Sequence, residues 1–538
     1  RPFGKRLSDA FHMIDARDRA RAALAQEHFD LLVLGGGATG LSIAHDASDR
    51  GLKVALVEAR DFAQGTSSRA TKLLHGGVRY LAQGNIALVR EALHERTVLM
   101  RNAPHLAQPL PFLIPVDSQA HRLFYGAGLR LYDLLAGKDS LGATHWMDAA
   151  QTRQASPHLR SSQLKGAVVY TDGQFDDARL ALAIARTAAL QGAVLLNHAE
   201  VTRLIQTPGA SGGRVQGAQV RDAITGESFA IQARCVVNAT GVWVDDILRM
   251  QAGRADARLR VRPSQGIHAV LAGDWLDGRH ALLVPRTRDG RVLFAVPWLG
   301  HTILGTTDTP VQARSFEPQA QEAELAFLIE EAAVLFNRPL RPQDMLSLWA
   351  GLRPLVDSSG SGQRATRKIS REHSIWVDDS GLVTITGGKW TTCRAMAEDL
   401  LQACQDTELL PATGPCRTTE LPLVGALATG QTLAQSAGLH LYGSEAERVI
   451  QLPGASHWIT EQLSEAMVRF AARQEWALHV DDVLARRSRL LFLDAQAAMR
   501  AAPAVARILF EETGHDPDLA GFMKTASQYH HQHYFPEE

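Results

Sequence analysis

The stretch Phe29-Asp30-Leu31-Leu32-Val33-Leu34-Gly35-Gly36-Gly37-Ala38-Thr39-Gly40, with Lys53-Val54-Ala55-Leu56-Val57-Glu58 behind it, decides the fold class. A short unbroken apolar run is the pattern of a parallel strand buried on both faces. Gly35, Gly37 and Gly40 interrupt it at Gly-x-Gly-x-x-Gly spacing, residues 41–50 read as a helix ending at Gly51, and 53–58 is a second apolar run. This is one β-α-β unit. Glycines let the backbone approach a pyrophosphate, and the helix N-terminus turns N–H groups and partial positive charge toward it. Glu58 lies 58 − 35 = 23 residues after the first glycine, where it can accept hydrogen bonds from a ribose. Gly35, Gly37, Thr39, Gly40 and Glu58 are thus expected to hold a dinucleotide.

The residues after the second strand narrow the choice of dinucleotide. Gly65-Thr66-Ser67-Ser68 and Lys72-Leu73-Leu74-His75-Gly76-Gly77-Val78-Arg79-Tyr80 form a polar, glycine-rich insertion. A nicotinamide dehydrogenase does not need it, whereas a deeply buried flavin does. Thr66, Ser67, Ser68, Lys72, His75, Gly76 and Gly77 therefore join the candidate cofactor ligands. Cys235-Val236-Val237-Asn238-Ala239-Thr240-Gly241 repeats the pattern of strand then glycine turn and adds Gly241. Gly387-Gly388 precedes a helix starting near Thr391. That second helix N-terminus, with Gly388, Lys389 and Thr391, can stabilise negative charge on a reduced flavin ring.

Elsewhere, residues 260–310 alternate strand-like runs with turns and predict an antiparallel sheet. Helices are expected at 15–26, 81–102, 121–136, 180–190, 319–336, 391–404, 460–477, 481–493 and 495–512. The proline-rich 106–116 reads as an extended connection, 209–217 as a hairpin tip and 405–426 as a linker.

The chain has 538 residues, 45% hydrophobic and 21% charged, with 56 Lys+Arg against 57 Asp+Glu. It can bury a large core, which excludes a disordered or fibrous protein. A net charge of −1 argues against a globally basic nucleic-acid binder, so no nucleic acid is expected. Four cysteines without a C-x-x-C pair fit a reducing compartment. No secretory signal is read at the start and no transmembrane span is expected. His530-His531-x-His533 has no evident further ligand and reads as a solvated tail, and Asp378-Asp379-Ser380-Gly381 lacks an EF-hand's ligand pattern. No metal is expected.

Taken in order, Gly35–Gly40, 66–80, Asp176-Asp177-Ala178-Arg179-Leu180, Asn238-Ala239-Thr240-Gly241, Gly305-Thr306-Thr307-Asp308, Gly351-Leu352-Arg353-Pro354-Leu355 and Gly387-Gly388-Lys389-Trp390-Thr391-Thr392 resemble the FAD-dependent glycerol-3-phosphate dehydrogenases of the bacterial aerobic type. The resemblance spans nearly the whole chain. It implies an α/β fold: a Rossmann-like FAD-binding domain, an antiparallel-sheet substrate domain similar to that of D-amino-acid oxidase, and a C-terminal all-helical cap. The divisions expected are a lead-in helix at 1–27, the FAD-binding domain at 28–100, 166–260 and 360–404, the substrate domain at 101–165 and 261–359, the linker, and the cap at 427–538. The implied activity is oxidation of sn-glycerol 3-phosphate to dihydroxyacetone phosphate, with electrons passing from FAD to a membrane quinone. A peripheral homodimer on the cytoplasmic face of the bacterial inner membrane is also implied.

The implied substrate is a phosphate dianion and the chain is nearly neutral, so cations are expected to be concentrated locally. Arg79, Arg353, Arg371 and Lys389 stand in motifs similar to the family's substrate-site motifs, and guanidinium groups clamp phosphate with paired hydrogen bonds. Arg353 and Arg371 are expected as phosphate clamps, with Arg79 and Lys389 nearer the reacting carbon. His75 leads as the general base, with His268 second. Around His268 the sequence departs from the family's Lys-Gly-Ser-His, with Gln265 and Ile267 replacing the Lys and the Ser. Cys393 stands where the family often has Tyr and reads as a packed residue. The amphipathic 121–135, with Arg122 and Arg130, is the candidate membrane-surface helix. The alternatives are an oxidase passing electrons to oxygen, a non-catalytic flavin-binding relative, and an amine or amino-acid oxidase.

Overall fold

β1 (His28–Leu34) sends Leu31 and Val33 into one core and Phe29, Leu32 and Leu34 into another, which is why its sequence has no polar alternation. The computed structural model describes residues 13–77, 81, 84–160, 162–208, 213–251, 261–273, 275–356 and 373–536. Around β1 lies a parallel core: β2 (Val54–Val57) and β7 (Val194–Leu196) on one side, β10 (Ser228–Asn238) and β18 (Leu382–Gly387) on the other. The hairpin β8–β9 (Ala199–Gln206, Val215–Asp222) attaches to β10, and β17 (His373–Val377) edges β18.

The second sheet runs β15-β11-β14-β13-β12-β4-β6-β3, with β16 also on β11 and β5 on β6. Its members are β3 (Leu73–Leu74), β4 (Ala107–Val116), β5 (His145–Asp148), β6 (Gly166–Phe175), β11 (Val261–Leu271), β12 (Ala281–Val284), β13 (Leu293–Trp298), β14 (His301–Gly305), β15 (Thr309–Pro310) and β16 (Met345–Val356). Two expectations change here. Residues 106–116 are not a connection: β4 pairs with β6 along its whole length. β6, placed by the sequence in the FAD-binding part, therefore belongs to this sheet.

The helices up to the linker are α1 (Met13–Gln26), α2 (Ala38–Asp49), α3 (Ile86–Asn102), α4 (Gln119–Ala136), α5 (Ala149–Ala155), α6 (Asp177–Leu190), α7 (Val244–Arg249), α8 (Glu322–Leu335) and α9 (Cys393–Asp406). α3 starts five residues later than read, where the Asn85 side chain accepts from Leu88 N–H. The C-terminal part holds α10 (Ala446–Ile450), α11 (Glu465–Gln474), α12 (Leu490–Leu493), α13 (Ala495–Thr513), α14 (Leu519–Ser527), α15 (His531–Tyr534) and one short hairpin, β19–β20 (Trp458–Thr460, Leu463–Ser464). Two long helices read there are broken. The hairpin replaces the start of 460–477, and a π-turn at Asp482–Arg487 followed by left-handed Arg489 (φ 66°) divides 481–493. One core joins α2, α6 and α9 to α11–α14, so the cap is packed onto the first sheet's helices.

Candidate active site

At the end of β1, Gly35 has φ 105°, and a Cβ at Gly40 would lie 2.0 Å from the Gly35 carbonyl oxygen. Only glycines let α2 start this close to the strand. The first N–H groups of α2 have no acceptor within the helix. Ala38 N–H donates to Ser67 Oγ (2.9 Å), which brings the 65–77 loop against this terminus. Glu58 accepts from Gly36 N–H (2.6 Å) and Arg60 N–H (2.9 Å), and burial raises its carboxyl above the ordinary value against the pull of those donors. The cradle, the helix N-terminus and the carboxylate at the ribose position suit a dinucleotide.

The loop is fixed from several sides. Trp390 Nε1 donates to Ser67 O (2.9 Å), and His75 N–H donates to Thr391 Oγ1 (3.3 Å). These bonds bring the second helix N-terminus, where Gly387 and Gly388 both have positive φ and Lys389 precedes Trp390–Thr392, against the loop. Thr386 Oγ1 donates to Gly241 O (3.1 Å), Gly76 N–H to Tyr132 OH (2.8 Å) and Thr66 Oγ1 to Leu352 O (2.6 Å). Among the cofactor candidates, Gly35–Gly40, Glu58, Thr66–Ser68, His75–Gly77, Gly241 and Gly388–Thr391 thus converge.

Lys72 is the correction in this set. It is fully buried behind the loop, bonded to Ser68 O (2.8 Å) and Asp177 (2.7 Å) and facing the Trp349 ring at 4.6 Å. An ammonium with no access to the cleft supports the loop rather than touching a cofactor.

The second sheet supplies the opposite wall. In the β11–β16 register, Ser264 pairs with Arg353, Gly266 with Gly351 and His268 with Trp349, so these six residues share one face. A Cβ at Gly266 would lie 2.3 Å from the Arg353 guanidinium, which occupies that room. Arg353 donates to Thr306 Oγ1 (2.9 Å) and lies 3.7 Å from Asp308. His268 stacks on Trp349 (4.1 Å, 21°) and meets Thr71 Oγ1 at 3.0 Å. Burial, with Lys72 and Arg353 adding to it, drives its imidazole well below the ordinary value, so it is neutral. Gln265 and Ile267 alternate to the other face. Gln265 bonds Glu324 (2.7 Å) and Ile267 lies in the core, so the departure from the family's Lys and Ser does not reach this wall.

Arg79 and Arg371 lie outside the described residues. Cys393 is buried, and burial pushes its thiol up to about 12, which suits packing rather than nucleophilic attack. The histidine tail is only partly solvated: His533 is exposed, but His531 Nδ1 contacts Met345 O at 3.1 Å and Ala320 N–H donates to Tyr534 OH at 3.3 Å. Sequence reading missed His198, His479 and Asp482, whose ligand atoms lie within 4.8 Å of one another. Asp482 Oδ2 already accepts from Leu478 N–H and His479 N–H (both 2.9 Å), so this group reads as a fold-holding junction.

Residues 30–402 match the family described as FAD dependent oxidoreductase, and 416–519 match the C-terminal domain of alpha-glycerophosphate oxidase. The chain is 39% identical over 556 residues to a mitochondrial glycerol-3-phosphate dehydrogenase of Arabidopsis thaliana, covering 94% of this chain and 87% of that one. Against the mitochondrial glycerol-3-phosphate dehydrogenase of Homo sapiens it is 41% identical over 522 residues, covering 91% and 71%. The solved glycerol-3-phosphate dehydrogenase from Bacillus halodurans complexed with FAD is similar at TM-score 0.75 and 28% identity, covering 96% of this chain and 98% of that one.

Proposed function

The chain belongs to the family of FAD-dependent glycerol-3-phosphate dehydrogenases, and from that premise we propose that it oxidises sn-glycerol 3-phosphate to dihydroxyacetone phosphate and passes the electron pair to a membrane quinone. FAD is its cofactor. The observation that carries the reading is identity of 39–41% to dehydrogenases of this name across more than nine-tenths of the chain.

We assign the residue roles from the arrangement of the described residues and, for Arg79 and Arg371, from their motifs alone. The α2 N-terminus, Ser67 and Glu58 would hold the dinucleotide, and the Gly388–Thr391 helix start is assigned to its ring end. FAD, when bound, supplies acceptance of a hydride from the carbinol carbon and release of the electron pair to an acceptor. Arg353, held by Thr306 and Asp308, clamps the substrate phosphate, with Arg371 and Arg79 assigned beside it and Lys389 nearer the reacting carbon. His268 is too weakly basic to take a proton efficiently, which favours an imidazole nitrogen of half-buried His75 for the C2 hydroxyl proton.

The membrane partner is supported by α4. Its inner face buries Leu129 and Tyr132, while Leu123, Phe124 and Leu134 are 72%, 68% and 76% exposed. No described helix is long and apolar enough to cross a membrane. We assign α4 to peripheral contact at the cytoplasmic face of a bacterial inner membrane, with the protein as a homodimer.

The test is an anaerobic visible spectrum of the holoenzyme with sn-glycerol 3-phosphate. Bleached flavin bands that return with a quinone analogue are expected. Return only with oxygen would make the protein an oxidase. Bands that bleach with glycine or proline instead would overturn the substrate assignment, and bands that never bleach would favour a non-catalytic relative.

A further inference from the structure

Arg489 comes from the C-terminal part yet ends at the cofactor loop. It sits at the start of α12 in the left-handed region and is entirely buried. Its guanidinium donates to Ser68 O (2.8 Å), Asp177 Oδ1 (3.0 Å) and Ala485 O (2.7 Å), and lies 4.5 Å from the Phe492 ring centroid. Lys72 Nζ reaches the same Ser68 carbonyl (2.8 Å) and the other oxygen of Asp177 (2.7 Å). Asp177 Oδ2 also accepts Ala70 N–H (2.9 Å), and Asp176 lies 3.5 Å from the Arg489 Nε. Arg489, the Lys72 amine and two acidic side chains thus close a buried cluster immediately behind residues 68–72. A non-glycine residue keeps a left-handed conformation only where its surroundings over-determine it, and here three hydrogen-bond partners and the nearby Asp176 do so.

The cluster acts on the cleft through one peptide. Ser67 O is bonded by Trp390 and Ser68 O by Lys72 and Arg489, so the donors that hold these two successive carbonyls come from outside α2, while the Ser67 hydroxyl accepts from Ala38 N–H at its terminus. A carbonyl turned toward that terminus would present negative charge to a pyrophosphate. Moreover, the sequence distance between Arg489 and Ser68 is 421 residues, so this bond forms only when the cap has docked.

We infer that Arg489 is a positioning residue of the cofactor site: by holding Ser68 O and Asp177 it fixes the 65–72 loop in the form that receives the FAD pyrophosphate, which makes the cap a working part of that site. Because it concerns cofactor binding in the absence of substrate, it stands or falls separately from the assignment of glycerol 3-phosphate.

The test titrates FAD into the full-length protein stripped of flavin and follows the quenching of flavin fluorescence. Arg489→Ala is expected to weaken FAD binding at least about tenfold. Arg489→Lys keeps the charge but loses the two-pronged contact and is expected to fall between that variant and the wild type, at least about threefold weak. The control is Arg469→Ala, which breaks a cap ion-pair cluster with Glu465, Glu511 and Glu512 that does not touch the loop. It is expected to lower the thermal midpoint and leave the Kd for FAD unchanged. Wild-type affinity in Arg489→Ala would overturn the inference. So would an equal loss of affinity in Arg469→Ala at matched thermal midpoint. If Arg489→Ala does not fold, Arg489→Lys decides alone, and wild-type affinity there refutes it.

Discussion

Lys72 carries its ammonium where water does not reach, and its titration measures what that burial costs. The group is fully buried, and desolvation pulls it from the ordinary 10.5 down to about 7; the Arg489 charge acts in the same direction, against the raising effect of Asp177 and Asp176. His268 on the facing sheet is neutral and adds no charge to this balance. The gap between 10.5 and about 7, at about 1.4 kcal/mol per pH unit, corresponds to about 5 kcal/mol. The sign follows from proton counting. Between these values the unfolded chain holds a proton on this lysine that the native chain has released, so the native state gains stability as pH rises from about 7 to 10.5, and below about 7 the full cost is present. The chain has only eight lysines, so ε-13C-lysine NMR of the holoenzyme can resolve this one, assigned by its absence in Lys72→Met. The expected midpoint lies near 7. The stability of wild type minus Lys72→Met, from denaturant midpoints across pH 6–10, should rise by roughly one proton's slope over the window. A Lys72 resonance still charged at pH 9 would refute the reasoning: Asp177 and Ser68 would then hold a permanent cation, and the two proteins would follow pH in parallel.

Arg353→Ala should raise KM for sn-glycerol 3-phosphate by roughly 30- to 700-fold, since charge-assisted bonds worth about 2–4 kcal/mol are lost; steady-state kinetics with an unchanged KM would remove it from the phosphate clamp. Gly40→Val places a Cβ 2.0 Å from the Gly35 oxygen, so α2 must move off the strand, and the purified protein should be colourless and fail to take up FAD, read as absorbance near 450 nm. Replacing both Leu123 and Phe124 by Glu removes two exposed apolar side chains worth about 1.5–3 kcal/mol each on burial. Co-sedimentation with vesicles containing anionic lipid should fall more than about a hundredfold, while FAD content stays constant.

The parts of the fold that were legible are those written in neighbouring residues. β1, Gly35–Gly40, α2 and β2 follow from an apolar run, three glycines and a helical spacing. The β10–Gly241 and β18–Gly388 turns repeat the same grammar. β4 was not legible because Pro109, Pro111 and Pro115 look like breakers. Phe175 N–H donates to Lys72 O on the far side of β6, so the Ala107–Phe175 pair is not hydrogen-bonded, and by alternation neither are the three prolines, whose partners are Gly173, Thr171 and Ala167. Their missing N–H groups cost that ladder nothing. Gln265 and Ile267 could have been placed by the same parity, since residues an odd number of positions from His268 on a strand must face away from it.

The site was legible as a set of motifs but not as an arrangement, because its bonds join distant segments: Thr71 with His268 across 197 residues, His75 with Thr391 across 316, Ser67 with Trp390 across 323. The cap shows the same limit most sharply. Residues 481–493, expected as one helix, carry Asp481, Asp482, Arg486, Arg487 and Arg489, and charged side chains are mostly exposed. Instead Arg486 meets Asp61 at 2.5 Å, Arg487 binds the same carboxylate, and Arg489 meets Asp177, all in the interior. Buried ion pairs recover little net stability over well-packed apolar groups, yet removing one partner is costly because the other charge stays behind. A seam built from such pairs is therefore weakly stabilising but highly exacting. It admits one register of cap against cofactor loop, and that register is the one in which Ser68 O is held by both Arg489 and Lys72.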